Sequence, residues 1–364
     1  MEQTTVEKNV ATPVAGAGNA VAKASRVLGF GGFARFVNLA GVYLIAVFLV
    51  ILGAVLQGLV QNFLTVPNFL NIIDNVALLG IVAVGMAFVT YSGSMCDLSV
   101  PTTMALCGIV AVQMLQFGFL PAVAAATAIG LLIGLINAVV VGKLKANPII
   151  WTLAVNYVTL GVIRLVWVNK QIYPETITDN KEAISLFDGI FRQEVFSNLF
   201  ANELLDIRLP LVMMVVLVIL GQFVLTRTTF GAQLKFTGSA KKAARFSGVN
   251  VEFVIGMAFI LAAIGAVIGG LAITSLSRTG AYYNGAGYDF RAVTAIVIGG
   301  MTRAGGRGSI VGVLGGVLII GFINPLMTLI GVPTLSQDMI RGLIFIIVVG
   351  INAKSLRSLG RDDS

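Results

Sequence analysis

Residues 98–142, LSVPTTMALCGIVAVQMLQFGFLPAVAAATAIGLLIGLINAVVVG, carry no charged side chain. One helix crosses a hydrocarbon layer of about 30 Å with about 20 apolar residues, so this run holds two spans. The natural break is the stretch around Gln116–Pro121. The same reading extends both ways. Charge-free stretches at 37–60 and 75–96 precede the run; 146–168, 209–226 and 253–277 follow it, with Arg164 near the far end of the first. Beyond them, 292–302 is short, 308–330 is a full span, and 339–353 is short with Arg341 near its start. The expectation is an all-α polytopic membrane protein of about ten transmembrane helices.

Composition agrees. Of 364 residues, 57% are apolar and 11% charged, against about 45–50% and about 25% in a soluble domain. A water-soluble globule is excluded. The chain has no histidine, which removes imidazole bases, His-ligated metals and His proton relays together. Cys96 and Cys107 sit in apolar surroundings and read as small hydrophobes. No cofactor and no metal are expected. The ATP-binding pattern G-x-x-x-x-G-K-[ST] is absent, so the chain is not expected to be an enzyme. Its nearest Gly-rich stretch, GGMTRAGGRGS at 299–309, reads as a tight turn between helices.

Orientation follows from Lys and Arg, which favour the cytoplasmic side. With the N-terminus inside, the inner parts hold Lys143, Lys145, Arg227, Lys235, Lys241, Lys242, Arg245, Arg303 and Arg307, besides the basic residues of both ends. The long polar segment 169–208 falls outside and is more acidic than basic. The expected organisation is a disordered cytoplasmic tail at 1–36, a transmembrane domain at 37–353 and a cytoplasmic tail at 354–364. Within the domain, 169–208 is the periplasmic loop and 226–252 a cytoplasmic loop. The net charge of +8 is thus read as topology, and no nucleic-acid partner is expected.

The loop 226–252, TRTTFGAQLKFTGSAKKAARFSGVNVE, is the most informative stretch. Ser239 is expected to cap a short helix that Gly248 terminates. On that helix Ala240, Ala243, Ala244 and Ser247 share one face, with Lys241, Lys242 and Arg245 off it. A face of methyl groups with a basic rim fits a groove on another protein.

The segment RTTFGAQLKFTGSAKKAARFSGVNV resembles the cytoplasmic loop of ribose-type sugar permeases of ATP-binding-cassette (ABC) importers. In that family an Ala-Ala-Arg helix followed by Ser-Gly docks on the ATPase. Three further blocks are similar in the same order: SGSMCDLSVPTTMAL at 92–106, KLKANPIIWTLAV at 143–155, and GAGYDFRAVTAIVIGGMTRAGGRGSIVGVLGGVLIIGFIN at 285–324. The likeness runs from about Phe69 to Asn352. It departs at Lys241 and Lys242, where an acid is usual, at Met95–Cys96, which replace Gly-Ile, and at Pro101.

The resemblance implies a permease subunit in the bacterial inner membrane, forming the path for a sugar or sugar-like solute. A separate cytoplasmic ATPase, a periplasmic solute-binding protein and a second or sister permease are the implied partners, besides membrane lipid. Gly238, Ala240, Ala243, Ala244, Arg245, Ser247 and Gly248 are then the ATPase-coupling residues. The alternative is an ion-coupled secondary transporter. Against it, intramembrane acids are scarce, whereas such carriers usually keep ionisable groups at mid-membrane. Asp97, expected at the inner end of the second span, reads as a structural cap for the free N–H groups of the next helix. Asn156, Tyr157 and Asn324 are the candidate pore-lining residues.

Overall fold

The computed structural model describes residues 42–45, 47, 66–167, 170–192, 209–333, 336, 337, 339–344 and 346. The tails at 1–36 and 354–364, most of the expected first span and part of the last fall outside them. The helices in chain order are α1 (Val66–Tyr91), α2 (Val100–Met114), α3 (Phe119–Asn137), α4 (Pro148–Trp167), α5 (Pro174–Ile177) and α6 (Lys181–Arg192). Then come α7 (Leu209–Arg227), α8 (Thr229–Ser239), α9 (Lys241–Phe246), α10 (Val251–Ser277), α11 (Tyr288–Ile298) and α12 (Ile310–Leu329). Leu115–Phe117 adds a 3₁₀ turn to α2, and Ala138–Lys143 continues α3 as π-helix.

Among the described residues, seven helical stretches are long and apolar enough to cross a membrane: 72–91, 100–117, 119–143, 148–167, 209–227, 251–277 and 310–328. Two expected boundaries move. The second span stops at Tyr91, and 92–99 is not helical. The segment at 292–302 is not a span, because α11 has only 11 residues. The break between α2 and α3 falls where expected, at Gly118 with φ 108°.

The core forms around α10, which packs along α1, α2 and α3. Between helices in lipid the hydrophobic effect supplies little drive, so small residues that admit close contact carry the packing. A β-carbon on Gly85 of α1 would lie 2.9 Å from the Leu261 carbonyl oxygen of α10. At the far end of α3, one on Gly142 would lie 2.7 Å from the Glu252 carbonyl oxygen. By contrast, α4 touches mainly α2 and turns Ile150, Leu153, Val158, Val162 and Leu165 outward.

Loops gather at two opposite ends of these helices. At one end Gly306 N–H donates to Tyr91 O at 2.8 Å, and Lys145 pairs with Glu252. At the other, Ile172 bridges Gly280, Ser275 Oγ donates to Phe187 O at 2.8 Å, and Arg278 pairs with Asp188 at 3.2 Å.

Candidate functional site

The 226–252 loop folds as two short helices. Thr228 caps α8 by accepting from Gly231 N–H at 3.1 Å. Ser239, expected to cap the next helix, is instead the last residue of α8, and Ala240 stands at the cap position of α9 without a side-chain bond. Gly248 does end α9: it takes φ 81°, and its N–H donates to Arg245 O at 3.1 Å. Asn250 then caps α10, accepting from Phe253 N–H at 3.0 Å. A helix of 6 residues cannot persist alone in water; α9 holds its shape against α8 and α10.

That packing divides the small face. Ala240, Ala243 and Ser247 are exposed, but Ala244 is fully buried. Beside them Phe246, which lies off the methyl face, is 92% exposed, more than any other large hydrophobic among the described residues. Its sequence signal was an aromatic between Arg245 and Ser247 on the helix that carries Lys241 and Lys242. Arg245 is not a free rim charge either, for its guanidinium lies 3.5 Å from Glu252 and the Lys145 ammonium lies 3.4 Å from the same carboxylate. Lys241 Nζ donates to Gly93 O at 3.4 Å, and partial burial lowers its pKa from the ordinary lysine value.

Gly238 has a role that the sequence did not disclose. A β-carbon there would collide with Tyr91 O and Gly306 N. Three backbones thus meet: the end of α8, the end of α1, and the turn 299–309. That turn contains left-handed Gly300, Gly305, Gly306 and Gly308. It closes through Thr302 N–H to Arg307 O at 3.1 Å. Ser309 caps α12 through Gly312 N–H at 3.0 Å, and Gln222 of α7 accepts from Ile310 N–H at 2.9 Å. The 299–309 stretch is the tight turn between helices that its composition implied.

Asp97 lies buried in the non-helical link between α1 and α2. Its Oδ1 accepts from Ser99 N–H at 2.9 Å and Ser99 Oγ at 2.5 Å. Asn137 Nδ2 donates to Ser99 Oγ at 2.9 Å, and its own Oδ1 accepts from Trp151 Nε1 at 3.0 Å. Four residues from three separate stretches thus share one buried polar network. Nearby, Asn156 Oδ1 accepts from Thr102 Oγ1 at 2.9 Å. Tyr157 is 65% exposed, on the outward side of α4. The Asn324 side chain lies outside the described residues. The three candidate pore residues are therefore not shown to converge.

A second membrane-level feature lies between α10 and α11. From Gly280, whose β-carbon would lie 3.1 Å from the Ile109 Cα, the chain descends beside α2 to Gly285, which abuts Pro101. Its links are turns, with Asn284 N–H to Ala281 O at 3.1 Å and Ala286 N–H to Tyr283 O at 2.9 Å. Tyr282 and Tyr283 contact edge to face at 5.3 Å. Arg164 of α4 stands over the Tyr282 ring at 5.3 Å, and Arg291 over Tyr288 at 5.2 Å.

The chain matches a family described as branched-chain amino acid transport system / permease component over residues 68–349. It is 31% identical over 312 residues to the ribose import permease protein of Escherichia coli (strain K12), covering 84% of this chain and 92% of that protein. To the L-arabinose ABC transporter permease protein of Azospirillum brasilense it is 31% identical over 321 residues, 88% of each. To the fructose import permease protein of Rhizobium meliloti it is 31% identical over 309 residues, 84% of this chain and 82% of the other. No solved structure matches it significantly.

Proposed function

Because the chain belongs to this family of transport-system permease components, we propose that it forms the membrane path for a sugar and couples that path to ATP through α8 and α9. It is the permease subunit of an ABC importer and a multi-pass membrane protein; ATP hydrolysis resides on a separate subunit. Family relatives named for ribose, L-arabinose and fructose support a monosaccharide-sized, hydroxylated solute. The bacterial inner membrane is the proposed location, with the α8–α9 end and both termini cytoplasmic. A solute-binding protein would then meet the opposite end, around 169–208, and a second or sister permease would complete the path.

The observation that carries the coupling is the backbone crossing at Gly238. With no side chain between them, α8, the end of α1 and the 299–309 turn move as one piece. A push on α9 therefore reaches two membrane helices, α1 and α12, directly. Gly238, Ala240, Ala243, Arg245, Ser247 and Gly248 stay in the coupling assignment as its frame and outer surface. Ala244 serves it from within, as packing. Phe246 is the proposed anchor, since an exposed aromatic ring gains most when a partner pocket covers it. Asp97 is proposed to fix the start of α2, and Asn156, Tyr157 and Asn324 remain proposed pore residues.

The test is co-purification of the ATPase subunit with wild type and Phe246→Ala, alongside sugar uptake. Covering a Phe side chain is worth about 1.5–3 kcal/mol, so truncation should weaken association roughly 10- to 150-fold. Equal retention of the ATPase and equal uptake would remove α9 from the coupling path.

A further inference from the structure

Resting on the permease reading, the geometry points to a solute-contacting wall made by the irregular segment 280–287, the first turn of α11 and the adjacent side of α4. Gly280 lies beside Ile109 and Gly285 beside Pro101, both within the apolar stretch 100–117 of α2. The segment between them therefore runs at membrane depth. Irregular backbone is tolerated at that depth only where protein buries it or where it lines a water-filled cavity. Burial is incomplete: Tyr283 is 43% and Phe290 55% exposed.

Charge separates the remaining choices. Asp289 and Arg291 open α11, and Arg164 of α4 is exposed beside Tyr282. Ionisable groups at membrane depth face a protein interior or an aqueous cavity, seldom lipid. Together these side chains offer ring faces, guanidinium donors and a carboxylate acceptor. That combination suits a neutral polyhydroxylated solute: C–H faces lie on the rings, and hydroxyls bond to Arg164, Arg291 and Asp289. A purely ionic solute would want one sign of charge, and an apolar one no charge at all. Broken helices at the midplane are a recurring source of such contacts in transporters.

Two measurements test the wall separately. In the intact importer in membranes, Tyr283→Cys and Phe290→Cys should react with a membrane-impermeant methanethiosulfonate reagent, over the background of wild type with its buried Cys96 and Cys107. Reaction only with a lipid-soluble maleimide would place this surface against lipid and overturn the wall. Uptake of labelled ribose, L-arabinose and fructose is then compared for wild type, Tyr283→Ala, Tyr283→Phe and Asp289→Asn. Tyr283→Ala should raise the KM for uptake about tenfold, with ATPase association unchanged and Tyr283→Phe close to wild type. Asp289→Asn should alter the preference among the three sugars. Unchanged KM and preference at normal membrane abundance would overturn the solute contact. If wild type takes up none of the sugars, the sugar reading falls, while thiol labelling still decides whether the wall meets water.

Discussion

Ala243 and Ala244 are neighbours of the same type with opposite surroundings, so one substitution gives two different outcomes. Ala244 is fully buried, and a tryptophan there overpacks the chain's own contacts, which costs about 1–3 kcal/mol. Ala244→Trp should reduce the yield of folded protein extracted from the membrane. Ala243→Trp, on the exposed side, should leave yield unchanged and displace the ATPase. Fluorescence size-exclusion profiles of both variants, followed by co-purification, check this; matching behaviour would mean that α9 does not sit as described. The sequence showed that both alanines lie on one side of the helix by their spacing. It could not show that α8 and α10 would take one of them, because that depends on how three helices meet. At Asp97 the loss of charge is the informative change. A carboxylate accepting two bonds from Ser99 makes stronger, charge-assisted bonds than an amide, and Asn137 already supplies the amide donor. Asp97→Asn should lower folded yield modestly and leave solute preference as in wild type. A changed preference at normal yield would make Asp97 a solute ligand.

Among the helices, α8 leaves no room for a β-carbon at Gly238. Gly238→Ala should be poorly tolerated, since its β-carbon would collide with Tyr91 O and Gly306 N, which are backbone and cannot swing away. Gly161→Ala on α4, where a β-carbon meets nothing within 4 Å, is the matched control and should be neutral or slightly stabilising. Thermal unfolding of the purified pair distinguishes them; similar midpoints would mean that the three-backbone crossing is loose. Most spans were readable because charge-free length is a direct signature of crossing a membrane. The errors fell where helices break inside the bilayer. The link 92–99, SGSMCDLS, carries no charge before Asp97, so absence of charge alone ran the second span on to residue 96. Likewise 292–302 is apolar without being a span: α11 starts at Tyr288, beneath a descending segment whose depth is set by α2.

Across the described residues, basic side chains gather at one end of the helices. Lys145, Arg227, Lys241, Lys242, Arg245, Arg303 and Arg307 lie in or beside the segments gathered around Gly238 and Glu252. The opposite end is mixed, with Glu175, Asp179, Glu182 and Asp188 on α5, α6 and their links beside Lys170, Lys181 and Arg278. Segment order and charge sign were legible before the fold was known, but which loops would meet was not, because Gly93, Gly238 and Gly306 carry no sign of their partners. An excess of Lys and Arg favours the cytoplasmic side during insertion, and the proposed orientation with the α8–α9 end inside rests on that rule. Ser185 on α6 and Lys242 on α9 are both exposed, so accessibility of the side chain does not bias the comparison. Cys96 and Cys107 are buried and can be replaced to give a silent background. In intact cells from which the outer membrane barrier has been removed, an impermeant maleimide should label Ser185→Cys and spare Lys242→Cys. After the membrane is opened, both should label. The reverse pattern in intact cells would invert the molecule, move α9 away from any cytoplasmic ATPase, and leave the Gly238 crossing as packing alone.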